Sequence, residues 1–249
     1  MRRISWLLVV SAGWLLGCDE KAAPKPEANL AKAPVAEEVP QPVAKPKEAP
    51  ELALDDISPR VGYSRVVIKE DRDRANLRAE LEPYREFLAG KEVPLTVDRK
   101  SSIKLVGLYL DELGELGVTA VRLRTETRKE YPADLRFVPR KRAQAPTACA
   151  TVAVILEDRG TAVWKVSGGT ATKHAHGLGG PDLSTTSASL ERFLKGCKQD
   201  RRLYVAAPEV IGWGLLFDLA ASAQVIPDAR PEATTLLLQV PVAGRKVEL

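Results

Sequence analysis

The feature that most constrains the fold is a series of secondary-structure signals that occurs twice in the same order. Each copy contains a helix pattern ending at a glycine C-cap, a short apolar strand, an apolar helix and a further strand. In the first copy these signals lie at residues 71–91, 93–98, 103–116 and 119–125. In the second copy they lie at residues 184–197, 202–207, 211–223 and 234–240. This alternation predicts an α/β (α+β) fold of two tandem, small mixed-sheet repeats with crossover helices.

The second copy also contains a hairpin pattern before its first helix. Two β-branched runs at residues 151–156 and 161–166 flank turn-forming residues at 157–160. Ser184 to Ser189 offer several N-caps for the helix that follows. The helix at residues 211–223 is apolar on nearly every side, so we expect burial against a sheet, with docking on a partner as the alternative.

The N-terminus is predicted to direct the chain out of the cytoplasm. Arg2 and Arg3 precede an apolar run at residues 4–16, and Leu-Leu-Gly-Cys closes it at Cys18. The run is shorter than the roughly 20 residues that span a bilayer. It resembles the lipobox of bacterial lipoproteins, which implies a signal peptide at 1–17 and lipidation of Cys18. The alternatives are a weak transmembrane start or an ordinary signal peptide. We expect a lipid-anchored, periplasm-facing protein of the inner or outer membrane.

Residues 18–60 form a Pro/Ala/Lys/Glu-rich stretch with almost nothing to bury. We predict a disordered linker that spaces the folded part from the membrane, with a cell-wall contact as the alternative. The two repeats are then expected at residues 61–140 and 147–243. The basic run at 136–142 is predicted to link them, or alternatively to contact anionic lipid. Cleavage lowers the formal net charge from +4 to about +2, which does not indicate nucleic-acid binding.

Cysteine usage follows from the predicted location. The chain has three cysteines, and lipidation of Cys18 leaves Cys149 and Cys197. In an oxidising compartment two such thiols favour a disulfide over a metal pair, the alternative being two separate buried thiols.

Beyond these patterns, the second half resembles the periplasmic domain of the ExbD/TolR family of biopolymer transport proteins. The resemblance rests on a hairpin, a helix with spaced leucines, a strand and an apolar helix. The matching positions are residues 152–156, Gly160, 163–166, Leu190, Leu194, 203–207, 208–210 and 215–219. Residues 93–98, 103–113 and 117–118 resemble a more divergent copy. The likeness covers most of residues 63–240, and its motifs are mostly core patterning.

The resemblance implies a role in the cell envelope and paired domains. Family members use an acidic residue in an N-terminal transmembrane helix, whereas residues 4–16 contain no Asp or Glu. Intramembrane proton relay needs such a group, so the motor function is not carried over. We expect partners among channel-type or TonB-like envelope proteins, or peptidoglycan, and a membrane contact through the lipid. We also expect the two repeats to pair within the chain as a pseudo-dimer.

Chemical motifs are few. His174 and His176 could place two imidazoles on one side of an extended segment and bind zinc with Asp182, whereas a flexible exposed loop is the ordinary interpretation. Asp98, Asp111 and Glu112 could line a cleft, or be solvated acids at element ends. We therefore predict a non-enzymatic, lipid-anchored binding adaptor without a cofactor. The alternative is a metal-dependent or other hydrolase that uses the His174/His176 loop.

Overall fold

A computed structural model of the protein describes residues 46–144, 147–166, 169–177, 180–247 and 249, and only the backbone of residues 71, 176 and 177. The described residues belong to one structural unit, Ala44–Leu249. The predicted signal peptide, the lipidation site Cys18 and most of the predicted linker lie outside the described residues.

Thirteen short strands occur in the part of the chain that the structure describes. The first half contains β1 (Leu52–Leu54), β2 (Pro59–Val61), β3 (Ser64–Arg65), β4 (Glu92–Val97), β5 (Ala120–Arg124) and β6 (Asp134–Phe137). The second half contains β7 (Ala150–Ile155), β8 (Thr161–Lys165), β9 (Thr172–His174), β10 (His176–Gly177), β11 (Gly180–Pro181), β12 (Arg202–Ala206) and β13 (Ala233–Leu236).

The helices lie where apolar residues recur at helical spacing. They are α1 (Arg74–Leu81), α2 (Arg85–Leu88), α3 (Ile103–Glu115), α4 (Leu183–Leu194) and α5 (Trp213–Gln224). A 3-10 turn containing Pro83 separates α1 from α2, because proline has no N–H for the helical ladder. The N-cap of α4 is Asp182 rather than one of the predicted serines, since its carboxylate accepts from the Thr185 N–H at 3.1 Å.

The strands of both halves join in one eleven-stranded mixed sheet, which confirms the mixed α/β class. Its order is β3-β2-β1-β4-β5-β6-β13-β12-β7-β8-β9. From either edge, an antiparallel hairpin unit leads into three mutually parallel strands, β1-β4-β5 in one half and β7-β12-β13 in the other. Strand β6 joins the halves, since it pairs antiparallel with β5 and parallel with β13. Origin of the halves as tandem repeats stays a prediction.

One face of the sheet packs against the helices, and we call the opposite face the outer face. Alternate strand residues such as Leu95, Leu123 and Val205 join the helices in the main apolar core. The outer face has a separate, smaller apolar cluster that includes Trp164 and Tyr204 of the second half. The two faces of the sheet therefore have different environments.

The halves also contact each other through their crossover helices. The N-cap residues of α3 and α5, Ser102 and Gly212, form an antiparallel bridge. Trp213 of α5 packs against Phe137 of β6 with ring centroids 5.8 Å apart, and its indole N–H donates to Thr125 Oγ1 at 2.9 Å. These buried contacts couple the two halves into one packed structure.

Two predicted boundaries are wrong. Strands β1 and β2 lie within the stretch assigned to the linker, because the alternation of Leu52, Leu54 and Val61 buries one side of each strand. The basic run at 136–142 is not only a linker, since Arg136 belongs to β6 and Arg140–Arg142 form a 3-10 turn.

The predicted Cys149–Cys197 disulfide is confirmed, with a Cα–Cα distance of 5.7 Å.

Candidate binding surface

The outer face of the first half is polar and exposed. Because side chains alternate along a strand, the residues between the core positions of β2, β4, β5 and β6 point to this face. The exposed side chains on it belong to Arg60, Glu92, Pro94, Thr96, Arg122, Arg124, Asp134 and Arg136. Four arginines and two acids give this patch a net positive charge.

A shared carboxylate organises these charges. Arg122 and Arg136 lie directly opposite each other on β5 and β6, an arrangement that is unfavourable for like charges. Glu92 accepts from Arg122 Nη2 at 2.9 Å and from Arg136 Nε at 3.1 Å. The hydrogen bond from Arg122, together with that from Arg136, holds the pKa of Glu92 below its ordinary value. Glu92 therefore stays ionised and offsets the repulsion between the two guanidinium groups.

The outer face of the second half is apolar and is covered by the chain's own C-terminal segment, residues 237–247. Leu237 and Val247 of this segment are buried against Val152, Trp164 and Tyr204. The segment contains no strand among its described residues, and the Leu237 N–H donates to Val205 O at 2.9 Å. Irregular chain, with a turn at 242–245, thus covers this face mainly through side-chain packing.

Chain direction explains why only one half is covered. After β5 the chain turns back and pairs antiparallel with β5 as β6, inside the sheet, so it does not cross the outer face of the first half. After β13, whose neighbours on both sides are parallel strands, the chain continues across the outer face instead. The halves therefore present corresponding faces in two states, one open and one occupied.

Two depressions lie on the outer face. A cleft of about 720 Å³ occupies the carboxyl ends of β1, β4 and β5, where open α/β sheets commonly bind ligands. Its lining includes Ala53 and Thr96, with Asp98 and Lys100 at its polar rim. A cavity of about 270 Å³ lies between the halves beside β6, β13 and β12, and we call it the seam cavity. The open face thus extends from the first half to the junction with the second.

The residues of the alternative zinc site have other partners in the structure. His174 Nε2 lies 3.0 Å from Ser189 Oγ, and Asp182 is held as the N-cap by Ser184 and Thr185. These hydrogen bonds lower the pKa of Asp182 to about 2. The side chain of His176 lies outside the described part of the structure. Within that part, no three His, Cys, Asp or Glu residues are grouped in a way that could hold a metal ion.

The three predicted cleft acids do not share a site. Asp98 is exposed and lines the large cleft. Asp111 is buried, and its carboxylate accepts from Arg140 Nε at 3.2 Å. Glu112 is also buried, and its carboxylate accepts from Arg74 Nε and, at 2.8 Å, from Arg78 Nε. The expectation of solvated acids is therefore wrong for Asp111 and Glu112, because arginines from distant parts of the chain pair with them.

Sequence reasoning did not single out the charged outer face. The signal for it was present, since charged and apolar residues alternate at 120–124 and 134–137. Their pairing across β5 and β6 depends on the register between two strands, which no local pattern shows.

Comparison with protein families, curated proteins and solved structures finds no match to this chain. The resemblance to the ExbD/TolR family therefore stays a prediction from the residues that carry it. No helix in the described part of the chain has the length and apolar character needed to cross a membrane. The class that the structure defines is a mixed α/β protein with one sheet face open and its counterpart covered.

Proposed function

We propose that the protein is a lipid-anchored adaptor of the cell envelope that binds a polypeptide segment of an envelope protein, one without regular secondary structure. The binding surface is the outer face of the first half. The sequence supports the location of this surface, because lipid on Cys18 and a long linker would hold the folded part near a membrane. The ExbD/TolR resemblance supports a channel-type or TonB-like subunit as the partner.

The observation that carries the proposal is the C-terminal segment on the corresponding face of the second half. There, residues 237–247 lie on β7, β8 and β12 as irregular chain that bends at 238–239 and turns at 242–245, with Val247 only 3% exposed. The sheet therefore has a demonstrated capacity to hold a non-strand segment on this side. In the first half the same side is free of the protein's own described chain.

The chemistry of the open face suits an exchangeable partner. The side chains of Arg122 and Arg124 are 58% and 61% exposed, so water solvates this face in the unbound protein. Interfaces between transient partners are of mixed polarity, and exposed charges raise the rate of association more than the affinity. The net positive charge favours a segment that is rich in acidic residues.

A site-specific crosslinking experiment in intact cells tests this proposal. A photo-crosslinking amino acid replaces Thr96, which is exposed at the centre of the open face, or Lys195 at the end of α4 on the opposite side. We expect an adduct with one envelope protein from position 96 and none from position 195. Equal adducts from both positions, no adduct, or an adduct with peptidoglycan alone would contradict the proposal.

The anchor is tested in the same cells. Cys18→Ala removes the lipidation site, and we expect the protein to leave the membrane fraction and the adduct from position 96 to decrease. Retention of the Cys18→Ala variant in the membrane would refute the anchor without refuting the binding face.

A further inference from the structure

The seam cavity is lined by more cationic side chains than the nearby carboxylates neutralise. Arg136 of β6, Arg142 of the connection between the halves and Arg202 of β12 line it, together with Thr119 and Thr235. The residues that contribute to it come from both halves. The cavity therefore exists only because the two halves share one sheet.

The three arginines differ in how many of their N–H donors already form hydrogen bonds. Arg202 is held by Asp200 at 2.8 Å and by Gln144 at 2.6 Å, so its position is fixed. Arg136 uses Nε to bond Glu92, and Arg142 uses Nε to bond Gly114 O at 3.3 Å. Among the described residues, the terminal nitrogens of Arg136 and Arg142 form no hydrogen bond. Each of these two arginines thus retains donors for a ligand.

Two acids lower the charge of the cavity without cancelling it. Asp200 lines the cavity and is engaged by Arg202, and Glu232 lies 3.9 Å from Arg201 Nε. Glu92, outside the lining, neutralises Arg136 only in part because it also pairs with Arg122. The three arginines of the lining therefore exceed the negative charge available to them, and the cavity has a net positive charge. Hydrogen bonds between a guanidinium and a carboxylate are short, directional and about twice as strong as neutral ones. A single carboxylate fits this deficit better than a neutral group.

We propose that the seam cavity binds the carboxylate of an Asp or Glu side chain carried by the partner segment on the open face. This proposal rests on the proposed function, since it assigns an anchoring residue to the same partner. Arg136 belongs to both surfaces, because its Nε faces Glu92 on the open face while its side chain also lines the cavity. An acidic residue of the segment would therefore be held at the junction between the halves.

A peptide titration tests this assignment on the full-length lipidated protein in detergent micelles. The probes are fluorescein-labelled peptides of five Glu-Ser repeats or five Gln-Ser repeats, and fluorescence anisotropy measures the Kd. We expect the Glu-Ser peptide to bind at least tenfold more tightly than the Gln-Ser peptide. We also expect binding to weaken as salt is raised from 50 to 500 mM, because screening reduces attraction between partly exposed charges.

Two variants and a control locate the site. Arg142→Gln and Arg136→Gln are expected to weaken binding of the Glu-Ser peptide about tenfold each. Arg192→Gln, at an exposed arginine of α4 on the opposite side, should change it less than twofold. Equal effects of all three substitutions, or equal binding of the two peptides, would overturn the assignment. Circular dichroism on each variant checks that the fold is retained.

The outcome for the seam cavity is separable from that for the proposed function. If Arg142→Gln leaves both peptide binding and the in-cell adduct from position 96 unchanged, the seam assignment fails and the adaptor proposal stands. If the crosslinker at position 96 forms no adduct in a protein with no other substitution, the adaptor proposal fails. An adduct that contains peptidoglycan stem peptide would assign the carboxylate to the cell wall and overturn the polypeptide partner.

Discussion

Removal of the Cys149–Cys197 disulfide is the perturbation whose magnitude follows most directly from the structure. The bond joins residues 48 positions apart, from the start of β7 to the residues after α4. The chain-entropy model gives about 4 kcal/mol for a loop of this length, because the open chain gains that much conformational freedom when unfolded. Both cysteines are half-buried, so serine at each position loses little packing.

The loop that the bond closes contains an entire edge of the second half. It includes β7, β8, β9 and α4, which pack together around Leu190 and Val163. We therefore expect the variant Cys149→Ser with Cys197→Ser to keep the native fold, with a free energy of unfolding lower by about 3–4 kcal/mol. Equilibrium urea unfolding followed by circular dichroism measures this difference.

Wild-type protein in a reductant is the matched control and should unfold at the same urea concentration as the double-serine variant. The reductant should not alter the variant further. If the variant and oxidised wild type agree within about 1 kcal/mol, the unfolded chain is already restricted in this region and the loop-entropy argument is wrong.

Three further perturbations test the coupling, the cover and the helix cap. Asp218→Ala removes the buried partner of Arg99, an arginine of the other half whose Nη2 lies 2.9 Å from Asp218 Oδ2. We expect the free energy of unfolding in urea to fall by about 3 kcal/mol, and a change below 1 kcal/mol would contradict the coupling. Val247→Asp places a charge against the covered face, and we expect it to lower the free energy of unfolding by about 2–3 kcal/mol. Water should then reach Trp164 and shift its fluorescence emission to the red, and an unshifted spectrum would contradict this. The pKa of Asp182 is about 2, below its unfolded value, so its stabilising effect is present above about pH 4 and is lost as the pH falls towards 2. Asp182→Asn should lack this part of the acid dependence, and identical pH profiles for the two proteins would exclude the cap as its source.

Local pattern was enough to predict most elements, because helices and strands bury side chains at fixed periods. The stripe at Leu77 and Leu81 predicts α1, and the β-branched run at 151–156 predicts β7. The disulfide was also predictable, since the expected oxidising location leaves Cys149 and Cys197 as the available pair. These inferences need only the residues themselves and their neighbours along the chain.

The average composition of residues 18–60 led to the wrong prediction that this whole stretch is a disordered linker. The Pro/Ala/Lys/Glu-rich region contains Leu52 and Leu54, and these two side chains become buried once β1 pairs with β2 and β4. β1 pairs with β2 a few residues further along the chain, but its other neighbour, β4, lies at residues 92–97. No short window of sequence contains both neighbours.

The sequence by itself determined the helices, the strands β4, β5, β7, β8, β12 and β13, the charges on alternate strand positions and the identity of the cysteine pair. Only the tertiary structure decided that both halves share one sheet, that Arg122 and Arg136 face each other across Glu92, and that one outer face is covered while the other is open. The reason is that strand register and chain crossing are set by contacts between distant residues. The candidate binding surface arises from those contacts, so it becomes visible only when the strands are placed side by side.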